Sequence, residues 1–280
     1  MNIAPQRQTQ WDGRAAANFA AGGAGAGLAV ATALAAPGSA AVPWLLAAAL
    51  VAAGLLSVWF EIGRPWRALN VLRAARRSWM TREALAALLL LPAALADGLG
   101  LAAAAVPAAL AGLAFVYCQG RILVAARGIP AWREPLTLPL IVATGLAEGA
   151  ALLGLWALFA RPGLLDPLAW ACAGLTLARF VIGARWYRRL SAQLSARPLA
   201  EVNRAGHAFN AGSLLALAML LVAGLSPLPA GGQGVLQALA MLACLAGGLA
   251  FKWQLVTRAA FNQGFAIVHP PVRGVRRAGP

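Results

Sequence analysis

The chain has 280 residues, of which 61% are hydrophobic and 11% charged, whereas soluble domains are about 25% charged and about 45–50% apolar. That composition excludes a soluble globular protein, and apolar content this high equally excludes a disordered chain. The formal net charge of +15 points first to nucleic acid, but the cations stand in short loops between apolar runs, the pattern of a multi-pass membrane protein.

A spanning helix needs about 20 mostly apolar residues. In chain order the apolar runs place spans near residues 15–36, 41–61, 83–97, 99–124, 136–160, 167–184, 207–225 and 235–257, followed by a polar tail over 258–280. The expected fold is therefore an all-α integral membrane protein. It has eight transmembrane helices in a single domain over 1–280, with both termini on the same side. The first run is too long for the apolar core of a secretory signal. Its Gly22-Gly23-Ala24-Gly25-Ala26-Gly27 segment lies inside an apolar span rather than after a strand. It therefore reads as close helix packing, with Gly23 and Gly27 four residues apart, and not as a nucleotide loop. The third span is short and meets the fourth in a tight hairpin at Asp97-Gly98.

Twenty of the 23 cations, from Arg7 to Arg277, fall on the side of the termini. Only Arg161 lies opposite, while Arg179 and Lys252 fall inside spans. The positive-inside rule then places both termini and the basic face in the cytoplasm. Seven tryptophans, Trp11, Trp59, Trp66, Trp79, Trp132, Trp186 and Trp253, lie near that boundary and read as an interfacial belt. Trp66 and Trp79 are alternatively rings facing an aromatic ligand. Cys118, Cys172 and Cys244 stand alone in apolar runs and read as small buried hydrophobes. The only histidines, His207 and His269, sit at a span start and in the polar tail, so two inward axial ligands for a haem are not expected. A metal site within this chain fails on the same scarcity of ligands.

The densest polar stretch joins spans two and three: Phe60-Glu61-Ile62-Gly63-Arg64-Pro65-Trp66-Arg67-Ala68-Leu69-Asn70, continuing to Ser78-Trp79-Met80-Thr81-Arg82-Glu83. Gly63 and Pro65 end one helix, Thr81 suits an N-cap, and Glu83 suits the first turn of the next. Two acids, Glu61 and Glu83, flank an arginine cluster at one membrane boundary, a setting in which a carboxyl group can exchange protons. Deeper in the membrane, Glu148 lies near the middle of span five, with an ion pair to Arg179 or Lys252 as the plain reading and a place in a proton path as the sharper one. Tyr117 in span four offers a hydroxyl to a ligand.

The Glu61-to-Asn70 and Ser78-to-Glu83 motifs resemble the NrfD/DmsC-type membrane anchors. So does Asn18-Phe19 with Gly22, Gly23, Gly25 and Gly27 in the first span. The resemblance implies eight helices and a haem-free anchor that exchanges electrons between a docked iron–sulfur subunit and a membrane quinone, ubiquinone or menaquinone. That subunit in turn serves a catalytic subunit with a molybdenum or tungsten pterin. It places the quinone among spans one to four, against Asn18, Glu61, Arg64, Arg67 and Glu83, with Asn70, Trp79, Arg82 and Tyr117 as further lining residues. Glu83, together with Glu61, would exchange the protons. Glu61 stands where DmsC-like members carry a histidine, a departure that weakens the carry-over at that position. The tail Phe261-Asn262-Gln263-Gly264-Phe265, with His269-Pro270-Pro271-Val272-Arg273-Gly274, is similar to anchors of phenylacetyl-CoA:acceptor oxidoreductases. With the basic face inside, that implies a cytoplasmic catalytic subunit oxidising a CoA thioester and reducing quinone. Anchors of sulfite-oxidising or dimethyl-sulfoxide/polysulfide-type complexes are alternatives within the family. A secondary transporter with a site near the midplane is the alternative from another class, and a helix broken around Glu148 would favour it. A structural anchor without quinone contact is a third reading.

Overall fold

The computed structural model describes residues 2–36, 41–60 and 78–266. Glu61, Arg64, Arg67, Asn70, Trp66 and His269 lie outside the described residues. The fold is all-α, with eight helices long and apolar enough to cross a membrane: α1 Gly13–Ala35, α2 Ala41–Trp59, α3 Trp79–Gly98, α4 Ala102–Ala125, α5 Thr137–Ala160, α6 Pro162–Ser191, α7 Ala196–Leu225 and α8 Ala230–Thr257. The chain is a multi-pass membrane protein. Its first and last described segments meet at one end of the bundle, where Asn2 and Ile3 pair antiparallel with Ala266 and Phe265. Gln8 N–H donates to the Ala260 carbonyl and Asn262 N–H to that of Gln6, both at 2.9 Å.

Several helices run past the ends expected from hydropathy, because their terminal turns carry arginines that water can solvate. The clearest case is α7, which starts at Ala196, eleven residues before the apolar run at 207. The start of α3 corrects another expectation. Ser78, in extended conformation, is the N-cap, and its Oγ accepts from Thr81 N–H at 3.3 Å. Thr81 therefore lies inside the first turn, and Glu83 is carried one step further to a buried position. Between α3 and α4 the hairpin is tight, with Gly100 at φ +101°, a left-handed conformation that only glycine adopts freely.

The helices form two groups of four, α1–α4 and α5–α8, joined through α1 and α5. These two are the most enclosed: 67% of the apolar window of each is buried, against 28–44% for the others. Glycine permits this contact. A Cβ on Gly149 would collide with the Gly27 backbone, and one on Gly27 with the Gly145 carbonyl, so the two helices touch backbone to backbone. Gly25 instead faces α2, where a Cβ would meet the Ala47 carbonyl at 2.8 Å. The glycine run is thus a packing device, one residue of which serves α2 and another α5.

At the basic end, two tryptophans expected in the interfacial belt prove to be core residues. Trp132 and Trp186 are each 2% exposed. The Trp132 indole donates to the Leu255 carbonyl, and the Trp186 indole to Thr137 Oγ1, each at 2.9 Å. A ring with a satisfied N–H can be buried at little polar cost, and these two pin the loop before α5 and the end of α6 to their neighbours. Trp59 and Trp253, at 40% and 45% exposed, fit the belt.

Gly149→Ala should lower stability by about 1–3 kcal/mol through overpacking, read as a fall in the thermal midpoint of the detergent-solubilised chain. Gly174→Ala, with nothing within 4 Å of the added carbon, should leave the midpoint unchanged or slightly raised.

Candidate functional site

Asn18 sits where α1 leaves regular geometry, since residues Asn18–Gly22 form a single π-helical turn. Such a turn inserts one residue into the hydrogen-bond ladder, and π-turns recur at functional sites. Its consequence here is a backbone carbonyl open to a side chain: Gln119 Nε2 of α4 donates to the Asn18 carbonyl at 3.0 Å. The Asn18 side chain turns the other way and donates through Nδ2 to Glu83 Oε1 of α3, also at 3.0 Å. Gln119 lies within hydrogen-bonding reach of the same carboxylate. Glu83 and Asn18 are each 5% exposed, and Gln119 is fully buried. A carboxylate four residues into α3, about 6 Å from its start, is therefore held by the Asn18 amide of α1, with the Gln119 amide of α4 close by.

Around this carboxylate the basic end of the bundle is lined by guanidinium and ring groups. The Trp79 ring carries the Arg82 guanidinium at 4.1 Å and the Arg121 guanidinium at 4.6 Å. Tyr117 meets its edge at 5.8 Å between centroids. Stacking of this kind fixes long cationic side chains that water would otherwise disperse. Tyr117 is 42% exposed, so its side chain belongs to the outer surface of α4 rather than to the buried group around Glu83. Of the residues expected to act together, the structure brings Asn18 and Glu83 into contact, with Trp79, Arg82 and Tyr117 beside them.

A second polar group lies deeper. Glu148 is eleven residues into α5, about 16 Å from its start, and its Oε2 accepts from Lys252 Nζ of α8 in an ion pair with both side chains fully buried. Of the two partners open from the sequence, the bonded one is Lys252. Arg179 of α6, also fully buried, donates to the Cys244 carbonyl at 3.0 Å and lies over the Phe209 ring at 5.2 Å. Cys172 and Cys244, isolated in sequence, are brought together here through Thr176, whose hydroxyl is 3.9 Å from one sulfur and 3.4 Å from the other.

Lys252 is the only lysine in the chain, every other cation being arginine. The difference is chemical, because a buried lysine can release its proton whereas arginine keeps its own.

Gln119 was missed by sequence reasoning. The available signal was an amide in an otherwise apolar run, which a membrane interior tolerates only with hydrogen-bond partners. His207 lies on the exposed face of α7. Helix α5 runs unbroken through Glu148, so the interrupted helix that would favour a midplane transporter site does not occur there.

Comparison with known proteins gives no matching family model and no similar curated protein.

Lys252→Met should strand the Glu148 carboxylate and destabilise the chain by about 3–5 kcal/mol. Adding Glu148→Gln removes the stranded charge, so the double variant should unfold in detergent closer to the wild-type temperature than the single one does.

Proposed function

We propose that this protein is a haem-free membrane anchor of the NrfD/DmsC type, passing electrons between a docked iron–sulfur subunit and a quinone. The observation that carries the reading is the 3.0 Å hydrogen bond between Asn18 and Glu83, 65 residues apart in sequence. It brings together two of the three stretches behind the resemblance, that of the first span and Ser78-to-Glu83, at the basic end of the bundle. The residues there fit a quinone head group by their chemistry. Glu83 offers a proton-exchanging carboxyl at the membrane boundary, and Arg82 and Arg121 offer donors. The Trp79 ring offers a flat apolar face, while Asn18 Oδ1 and Arg121 Nε find no hydrogen-bond partner among the described residues.

A bound quinone supplies the redox chemistry, taking up or releasing two electrons with two protons. Glu83 holds and transfers a proton at its Oε atoms. Asn18, itself braced by Gln119, holds that carboxyl in one orientation, so the transfer needs no rearrangement. Arg82 and Arg121, fixed on Trp79, stabilise negative charge that develops on an oxygen in front of them, as preorganised donors do. Packing of α1, α3 and α4 keeps bulk water from the carboxyl.

The arginines at the ends of α4, α6 and α8 give the same face a positive field suited to an acidic electron-transfer partner. The charge bias supports a cytoplasmic face for these ends, in a bacterial inner membrane, and a cytoplasmic catalytic subunit with a molybdenum or tungsten pterin. A CoA thioester such as phenylacetyl-CoA is the substrate that the resemblance of the tail favours.

In the complex purified with its partner chains, Glu83→Gln should lower quinone-linked turnover at least tenfold while leaving turnover with an artificial dye within twofold of wild type. Equal loss of both activities would mean that the variant disrupts assembly. Unchanged quinone turnover would remove Glu83 from the reaction.

A further inference from the structure

Between Glu83 and the middle of the membrane, polar atoms without a partner among the described residues recur at two places, each bordered by a glycine. At the first, Gln119 Oε1 makes no hydrogen bond. It and Lys252 Nζ each lie 2.8 Å from the point that a Cβ on Gly23 would occupy. At the second, Glu148 Oε1 and Arg179 Nη1 make no hydrogen bond, and both converge on Gly248 of α8. All four side chains are fully buried. Each place therefore sets one acceptor against one donor across a glycine, whose missing side chain lets both atoms approach the backbone.

That pairing selects the occupant. An anion would face the Gln119 or Glu148 oxygen, and a cation would face the Lys252 ammonium or the Arg179 guanidinium. A water molecule donates to one and accepts from the other, and two partners already meet the least that a buried water needs. We infer that Gly23 and Gly248 border two water-binding points, the first completing a proton relay from Glu83 through Lys252 to Glu148 and the second steadying Glu148 at its end. The inference goes beyond the quinone reading, because it serves any event that changes the protonation of Glu83.

The transfer balances without electrons. A proton leaving the Glu83 carboxyl enters the water at Gly23, whose acceptor, the Gln119 amide oxygen, does not itself ionise. That water gives a proton to Lys252 Nζ as Lys252 passes one to Glu148 Oε2. One carboxyl has lost a proton, the other has gained one, and the lysine is unchanged. A lysine at this position can do this where an arginine cannot, and the chain places its only lysine here. The water at Gly248 ties Glu148 to Arg179, whose fixed positive charge helps hold the carboxylate when it is ionised.

The single lysine also makes the test site-specific. Untagged full-length protein labelled with 15Nζ-lysine and placed in lipid nanodiscs gives one lysine side-chain signal, whose exchange in D2O is followed by solid-state NMR without quinone or partner. The relay predicts that Lys252 Nζ exchanges at least a hundredfold faster than the backbone amides of the surrounding turns of α8. Gly23→Ala displaces only the flexible ends of Gln119 and Lys252, and Gln119→Leu removes the amide at similar volume. Each should slow Nζ exchange at least tenfold with amide protection unchanged, whereas Gly248→Ala, beyond the lysine, should leave it fast. Wild-type exchange as slow as the neighbouring amides would show a dry interior and overturn the relay. Fast exchange that neither Gly23→Ala nor Gln119→Leu slows would show that water arrives by another route, and would overturn the path from Glu83.

Discussion

Three full charges, on Glu148, Lys252 and Arg179, are held where no bulk water competes for them, and the packing of α1, α5, α6 and α8 is arranged around their compensation. A lone ion at such depth is costly, and even a buried pair is favourable only when its geometry is close and its remaining atoms are satisfied. Direct contact between Glu148 and Lys252 meets the first condition by bringing α5 against α8. Arg179 meets part of the second by spending one nitrogen on the Cys244 carbonyl and lying over an aromatic ring. Neither arrangement would survive a wider spacing of the helices.

Close spacing comes from glycine. In a membrane, apolar surface gives little drive for helices to associate, so they pack through small residues that let backbones approach. The α1–α5 contact at Gly27, Gly145 and Gly149 is of this kind. It sets the distance at which Gln119 and Lys252 both come up against Gly23. The same helix supplies the second departure from regularity, the π-turn at Asn18, which frees a carbonyl for Gln119 and lets the Asn18 side chain reach Glu83. Packing and polar chemistry in α1 are thus two results of one glycine-rich segment, whose low side-chain volume admits both.

The boundary pocket and the deep ion pair differ in their surroundings in a way that suits different tasks. Glu83 is held by the neutral Asn18 amide and lies near stacked arginines at the end of the bundle. Glu148 is held by a charged partner in the most enclosed part of the chain. Two carboxyl groups in unlike environments can divide acid–base work between them.

Much of the fold was legible in the sequence because it rests on period and composition. Apolar runs of sufficient length between arginine-rich loops determined eight spans, an even number, and hence ends on one side. The isolated Glu148, Lys252 and Arg179 were visible as candidates because ionisable residues inside apolar runs are rare. Local sequence does not carry partnership. Whether Glu148 meets Lys252 or Arg179 depends on the rotation of three helices about their axes, and neutral Gln119 showed no charge to mark it. The burial of Trp132 and Trp186 depends on carbonyls and hydroxyls far away in the chain, and the meeting of Cys172 with Cys244 depends on a helix crossing. Composition and hydropathy act residue by residue, so the sequence alone determined that this chain spans the membrane eight times and which residues are costly there. Interatomic distances of a few ångströms decide which costs are relieved, and only the tertiary packing sets those.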